Sequence, residues 1–313
     1  MPIVDLRDIS TRQLEPLLKE EASFWLDELH WDYRPSSQLI RKFVDGHSLT
    51  GCALLQGERV AGYGFYVLED MKGLIGGLYA SSANVSTADA VQLLDGIVES
   101  LLANEQVCRV ETQLMCFGDA LNATLRDHGF DLHDRYFMLL PLKEAPSGAA
   151  PVPEGLRIER WDDRYFEATA RLIQAAYQGH IDADINDQYR TEAGALKFLK
   201  NIVILPGCGE FQPYASFVVR KENGKSSGPL VAAILTSTVS MGVGHITQVC
   251  ILPEYRGQGL GLRLMEASMQ ALRSRRYHAL SLTVTAANET AVRLYERMGF
   301  DKVRTFTAAV WQK

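Results

Sequence analysis

The 313-residue sequence has no stretch near the about 18 uninterrupted apolar residues that a membrane-spanning helix needs, so no membrane role is expected. It opens MPIVDLRDIS, without the basic start, apolar middle and small-residue cleavage site of a secretory leader, and a cytoplasmic location is the expectation. Cysteine is sparse. Cys52, Cys108, Cys116, Cys208 and Cys250 form no C-x-x-C pair and no His-spaced cluster, which leaves no basis for a zinc site or a disulfide framework, and no metal is expected. Basic charge is short as well: 32 Lys and Arg stand against 38 Asp and Glu, a net charge of −6, which speaks against a general nucleic-acid binder.

The chain does have enough apolar matter to fold. A 47% hydrophobic fraction with 22% charged residues excludes a disordered or collagen-like chain, and at about 150 residues per domain the length suggests two domains. Charge is unevenly shared: residues 1–142 carry 11 basic and 21 acidic side chains, residues 143–313 carry 21 and 17. Mutual attraction of the halves, separate solvated faces and a ligand-related field all remain open as reasons.

Pro141 to Gly155 holds four of the eleven prolines and reads as an extended linker. The expected organisation is therefore a domain over 1–142, a linker over 143–154 and a domain over 155–313. In the second half the pattern predicts a strand at 156–160, helices at 163–177 and 187–201, an antiparallel pair at 216–221 and 230–238 around the turn ENGKSSGP, and a strand at 245–252. A glycine-rich loop, a helix with Leu260, Leu264, Ala267 and Ala271 on one face, a strand at 280–285, a helix at 289–298 and a last β stretch complete it. The first half repeats much of this order, with a strand at 3–6, helices between 11 and 43, strands at 51–55 and 60–68, a helix carrying Val91, Leu94, Val98 and Leu101, and a strand at 107–115. Its helix stop Gly129-Phe130 matches Gly299-Phe300 at an offset of 170 residues, which suggests an internal repeat.

Arg256-Gly257-Gln258-Gly259-Leu260-Gly261 lies between a strand and a helix, where free N–H groups and the helix dipole favour an anion and glycines allow the backbone to approach phosphate. Tight packing alone is the competing reason for such a loop. It lacks the third glycine of G-x-G-x-x-G and the Lys-Ser/Thr of a Walker loop, and the flanking strands read as antiparallel meanders unlike a dinucleotide-binding βαβ unit.

The run Val249-Cys250-Ile251-Leu252-Pro253-Glu254-Tyr255-Arg256-Gly257-Gln258-Gly259-Leu260-Gly261 resembles the acetyl-CoA signature of the GNAT superfamily of N-acetyltransferases, Q/R-x-x-G-x-G/A after a strand. Asn288 to Phe300 is similar to the N-x-x-A-x-x-x-Y-x-x-x-G-F helix of that family. The two motifs stand in the family's order, and the resemblance covers about residues 155–313. The first half shares only the layout: Leu125 stands where Tyr295 stands, Gly118 where Asn288 stands, and LIGGLYASSANVSTAD offers no phosphate loop. The resemblance implies an α/β (α+β) chain of two tandem GNAT-like domains, each a mixed, mostly antiparallel sheet flanked by helices, with a degenerate N-terminal copy that does not hold CoA. A two-domain chain without duplication is the alternative.

By this resemblance, Arg256, Gly257, Gln258, Gly259, Leu260 and Gly261 bind the pyrophosphate of acetyl-CoA. The backbone of Val249, Cys250 and Ile251 pairs with the pantetheine arm and stabilises the oxyanion formed when an amine attacks. Tyr295 matches the acid that protonates the CoA thiolate. For the base His245 is favoured, at a strand position where family members place Glu or His, because an ordinary imidazole accepts a proton near neutrality; water relays through Glu254 or backbone groups compete. Asn288 resembles a pantetheine or water contact and is equally a helix N-cap. Cys250 reads as a packing residue rather than a nucleophile. The acidic run Asp182 to Asp187 either recognises a cationic amine or is helix capping and solvation. The expected activity is acetyl transfer from acetyl-CoA to a primary amine of a small molecule, by a monomer whose repeat replaces a second subunit. A non-catalytic acyl-CoA sensor and a protein or peptide N-acetyltransferase are the alternatives.

Overall fold

Strand and helix boundaries follow local chemistry along the chain. The computed structural model describes residues 1–143, 152–205, 208–223 and 226–313; most of the expected linker and the centre of the turn ENGKSSGP lie outside the described residues. It divides into two compact units, Met1–Arg135 with Arg304–Lys313, and Tyr136–Val303.

The first unit runs β1 (Ile3–Asp5), α1 (Thr11–Leu29), α2 (Arg34–Asp45), β2 (Gly51–Gln56), β3 (Arg59–Glu69), β4 (Lys72–Ala80), α3 (Thr87–Leu102), β5 (Arg109–Leu114) and α4 (Asn122–Asp127), with β6 (Asp131–Pro141) leaving it. Its strands are ordered β1-β2-β3-β4-β5, followed by the last strand of the chain, which pairs antiparallel with β5 from Thr307↔Leu114 to Gln312↔Arg109. β4 was not among the expected strands. Its glycines hid it, and packing demands them: a Cβ on Gly73 would stand 2.6 Å from Leu101 Cδ2, and one on Gly76 2.5 Å from the Phe65 ring.

The second unit contains β7 (Leu156–Arg160), α5 (Phe166–Ala176), α6 (Ile181–Ile185), α7 (Glu192–Val203), β8 (Glu210–Phe211), β9 (Phe217–Asn223), β10 (Ser226–Ser240), β11 (Val243–Ile251), α8 (Leu260–Ser274), β12 (Ala279–Thr285) and α9 (Glu289–Arg297). The final strand, β13 (Asp301–Gln312), passes from this unit into the first. The order is β6-β12-β11-β10-β9-β7, with β8 on β10. Two expectations are corrected here. The helix expected over 187–201 begins only at Glu192, because the Thr191 side chain caps the Gly194 N–H, and α6 forms separately. The strands beside the glycine loop are not a meander: β10 and β11 are antiparallel, but β11 and β12 are parallel, as a helix-linked crossover through α8 requires.

α8 buries Leu260, Leu264, Met265, Ser268, Met269 and Leu272, a face shifted from the expected Ala267 and Ala271, which stay half-buried. With Val231, Ile234, Ile246, Leu280 and Leu282 these residues form one core on one side of the β10–β12 sheet. On the other side, α5 and α7 supply Ala170, Ile173, Ala195 and Leu199 against Ala233, Leu235 and Cys250. The two cores clamp β11 between them. Leu264, fully buried, tests this packing: Leu264→Ala is expected to lower stability by about 2–5 kcal/mol in urea unfolding followed by circular dichroism.

Candidate active site

The site begins with a break in pairing. The parallel ladder of β11 and β12 runs from Val243↔Ala279 to Ile246↔Leu282 and stops, although β11 continues to Ile251 and β12 to Thr285. At the same point the β10–β11 register slips, so that Leu235 faces Gln248 while Thr236 faces Ile246, leaving Thr247 as a bulged residue. The Thr247 hydroxyl donates to the Leu235 carbonyl at 3.1 Å. A bulge bends and twists its strand, and here it coincides with the parting of β11 from β12.

The gap carries ordered backbone groups. The Leu252 N–H donates to the Val231 carbonyl at 2.9 Å. Alternation along an antiparallel ladder then turns Gln248 and Cys250 toward β10 and Val249 and Ile251 toward the gap. Two contacts agree: the Tyr177 hydroxyl donates to the Val249 carbonyl at 3.2 Å, and Arg256 Nε to the Ile251 carbonyl at 3.2 Å. The Cys250 side chain lies in the helical core, where burial pushes its thiol up to about 12.

At the end of β11, Gly257 and Gly259 have φ of +75° and +77°, with open space where a Cβ would stand. Gly259 is the N-cap of α8 and has no side chain to satisfy the helix's first N–H groups, those of Leu260, Gly261 and Leu262. The first turn of α8 has no acidic residue. The result is an open, positively polarised backbone nest. Arg256 shapes it: besides Ile251, its Nη2 donates to the Ala176 carbonyl at 2.6 Å, tying the loop to the end of α5. Gln258 Nε2 donates to the Glu254 carbonyl at 3.0 Å.

The corresponding position of the first unit has the opposite chemistry. There the parallel β4–β5 ladder also stops early, at Ile75↔Thr112, but α3 is closed by a capping box in which Ser86 and Asp89 bond each other's backbone N–H groups. A carboxylate already occupies that helix end.

Tyr295, on α9, is nine-tenths buried, and its hydroxyl has no hydrogen-bond partner among the described residues. Burial, and then Asp182, push its phenol up to about 12. Asn288 caps α9 by accepting from the Ala291 N–H, and its Nδ2 lies 3.4 Å from His180 Nε2. His245 is buried in the paired part of β11, opposite Ser281, with its ring stacked on Phe137. Its Nδ1 lies 2.9 Å from Ser281 Oγ, and that hydroxyl donates to the Gly244 carbonyl at 3.3 Å.

A wall that the motifs did not identify faces the gap. Tyr177 and Tyr189 stack at 4.4 Å, His180 meets Tyr177 edge-on at 5.2 Å, and Tyr189 reaches Gln248 Oε1 at 3.5 Å. The acidic run 182–187 was visible in sequence, but only the fold separates its members. Among the described residues no group of His, Cys, Asp and Glu is arranged to hold a metal, and no helix is long and apolar enough to cross a membrane.

The site thus joins an open helix N-terminus to a parted β-strand pair, with a tyrosine on the next helix. Residues 161–300 match the model of the acetyltransferase (GNAT) family. The chain is 28% identical over 173 residues to a mycothiol acetyltransferase of Propionibacterium freudenreichii subsp. shermanii, a match that takes in 54% of this chain and spans only half of that protein's length. It is 30% identical over 120 residues to N-alpha-acetyltransferase 30 of Schizosaccharomyces pombe, covering 33% of this chain and 78% of that one. A GCN5-related N-acetyltransferase from Sphaerobacter thermophilus shares the fold across 99% of this chain and 95% of its own, with a TM-score of 0.72 at 15% identity. The chain belongs to the GNAT family, as a tandem of two GNAT-like folds of which the second carries the motifs.

Removing the two Arg256 side-chain bonds should loosen the nest. Arg256→Met is expected to cost about 1–3 kcal/mol in denaturant unfolding and to weaken acetyl-CoA binding in calorimetry.

Proposed function

We propose that the protein is an acetyl-CoA-dependent N-acetyltransferase that acts, as a monomer, on a primary amine of a small molecule by direct attack on the thioester. Residues 155–313 carry the reaction, and residues 1–142 contribute no CoA site. The observation that carries this reading is the uncapped glycine nest of α8 at the end of a strand whose Val249 and Ile251 backbone groups face a gap. In this reading the N–H groups of Gly257, Gln258, Gly259, Leu260 and Gly261 receive the pyrophosphate, and those of Val249 and Ile251 bind the pantetheine amides and the thioester oxygen. Stabilising the oxyanion there lowers the barrier to amine attack. His245 takes the amine's proton, directly or through water, and Tyr295 returns one to the departing thiolate. Asn288 orders α9 and so positions Tyr295.

The raised phenol of Tyr295 has a definite sign. Raising its pKa keeps the proton on the acid at neutral pH and postpones its loss to about pH 12, so kcat should show no falling limb from Tyr295 until pH approaches that value. Tyr295→Phe is expected to lower kcat ~10²–10⁴-fold with acetyl-CoA affinity unchanged. Calorimetry tests the site itself: acetyl-CoA should bind with one site per chain and fail to bind Gly259→Asp, whose carboxylate would crowd and repel the pyrophosphate. Absence of binding to the unaltered protein would overturn the reading. Acetylation of peptides to the exclusion of small amines would move the acceptor to a polypeptide.

A further inference from the structure

The buried stripe of α1 contains one residue whose polarity contradicts its place. Leu14, Leu17 and Leu18 face the core of the first unit, and Glu21 completes their i, i+3, i+4, i+7 pattern with only 2% of its surface exposed. Its Oε2 accepts from the Tyr63 hydroxyl of β3 at 2.6 Å, and Tyr63 is itself fully buried. The polar ends of Trp25, on α1, and of Tyr33, just before α2, also act on this carboxyl. Trp25 stacks flat on Tyr33 at 4.8 Å.

No cation answers Glu21 from the elements packed around it. α1 adds a second acid, Glu20, whose Oε1 accepts from the Tyr79 hydroxyl of β4 at 3.3 Å, and Cys116, just past β5, adds a thiol. Arg304 of β13 acts on Cys116, but its guanidinium donates to the Met115 and Cys116 carbonyls, lies over the Phe24 ring at 4.9 Å and has Glu28 at 3.9 Å. Among the described residues no Lys, Arg or His bonds Glu21. Burial, and next to it the charge of Glu21 or Glu20, holds Tyr33, Tyr63, Tyr79 and Cys116 above their ordinary ranges, so all four keep their protons near neutrality. A carboxylate without a counter-charge in such surroundings is driven toward its neutral form. Burial pushes Glu21 from the ordinary 4.5 up to about 7, against the opposing pull of the Tyr63 hydrogen bond.

We infer that Glu21 is a proton-operated latch of the first unit: with its proton it holds α1 against β3, and on losing that proton to solvent it favours a state in which α1 opens to water. The latch is independent of the proposed acetyl transfer. Its sign follows from proton numbers. With Glu21 at about 7 when closed and at 4.5 once water reaches it, the closed state holds up to one proton more between those values. The stabilisation is whole below about pH 4.5, is lost as pH rises toward 7 and changes no further above that.

Hydrogen exchange of the intact chain, read by mass spectrometry and corrected for the intrinsic pH dependence of amide exchange, tests the latch. Each pKa unit is a tenfold change in the opening equilibrium, so between about pH 5 and about pH 8 the opening constant of α1 amides should rise ~10–100-fold, while that of α8 amides in the second unit changes less than about threefold. Glu21→Gln, neutral at every pH, should abolish the rise, and Asp27→Asn, exposed on the same helix, should keep it. An α1 that opens equally at both pH values, a rise shared by α8, or a rise that survives in Glu21→Gln would overturn the inference. If Glu21→Gln does not fold, carbon-13 NMR of the unaltered protein labelled at its glutamate carboxyls decides. One carboxyl is expected to titrate near pH 7, and a set in which none titrates above about pH 6 sinks the latch.

Discussion

The parting of β11 from β12 is the constraint on which the site depends. Four paired positions hold the two parallel strands together, and the bulge at Thr247 then bends β11 away just as its partner ends its pairing. A continuous ladder would have consumed the N–H groups of Val249 and Ile251 within the sheet and left nothing for a ligand. The strand can end its pairing because it is held elsewhere. β10 grips its other edge, α8 covers one face with Leu264 and Met265, and α5 and α7 cover the other around Cys250. With the strand held on its other edge and both faces, its fourth side stays open, with the Val249 and Ile251 backbone groups turned toward it.

The two halves show how little chemistry separates an open helix end from a closed one. Both units part their parallel strands before a helix, but α3 starts with a capping box of Ser86 and Asp89, the Asp89 carboxylate also holding the Met1 ammonium at 2.8 Å, while α8 starts with Gly259 and no side-chain cap. An anion gains from the second arrangement, while in the first the carboxylate of Asp89 already stands at the helix end. The first unit keeps a complete core, built from α3, Leu54, Ile75 and Val110, with its helix end closed.

Much of this was legible in sequence, because the informative residues act through the backbone. The pair Gly257 and Gly259 stands out since only glycine suits those positive φ values without cost, and Asn288 and Tyr295 sit at cap and helix positions that spacing reveals. β4 was hidden because its glycines, there to clear Leu101 and Phe65, read as turn formers. The parallel sense of β11 and β12 depends on where α8 returns the chain, which no local pattern carries. Asp182 and Asp184 look alike in the run Asp182-Ala183-Asp184, and only the turn of α6 sends one to Thr285 and the other to solvent. Gln248 gave no signal, since a polar residue beside His245 and Thr247 in the same strand is distinguished only by what its buried amide fails to meet.

The last strand has a consequence for synthesis. Residues 304–313 complete the sheet of a unit whose other strands come from the first 135 residues, and Arg304 donates to the carbonyls of Met115 and Cys116 at 2.6 and 2.8 Å. While the ribosome makes the intervening residues, β5 exposes an unpaired edge, and such edges recruit other chains. The sheet of the first unit is complete only once β13 has been made and has paired with β5.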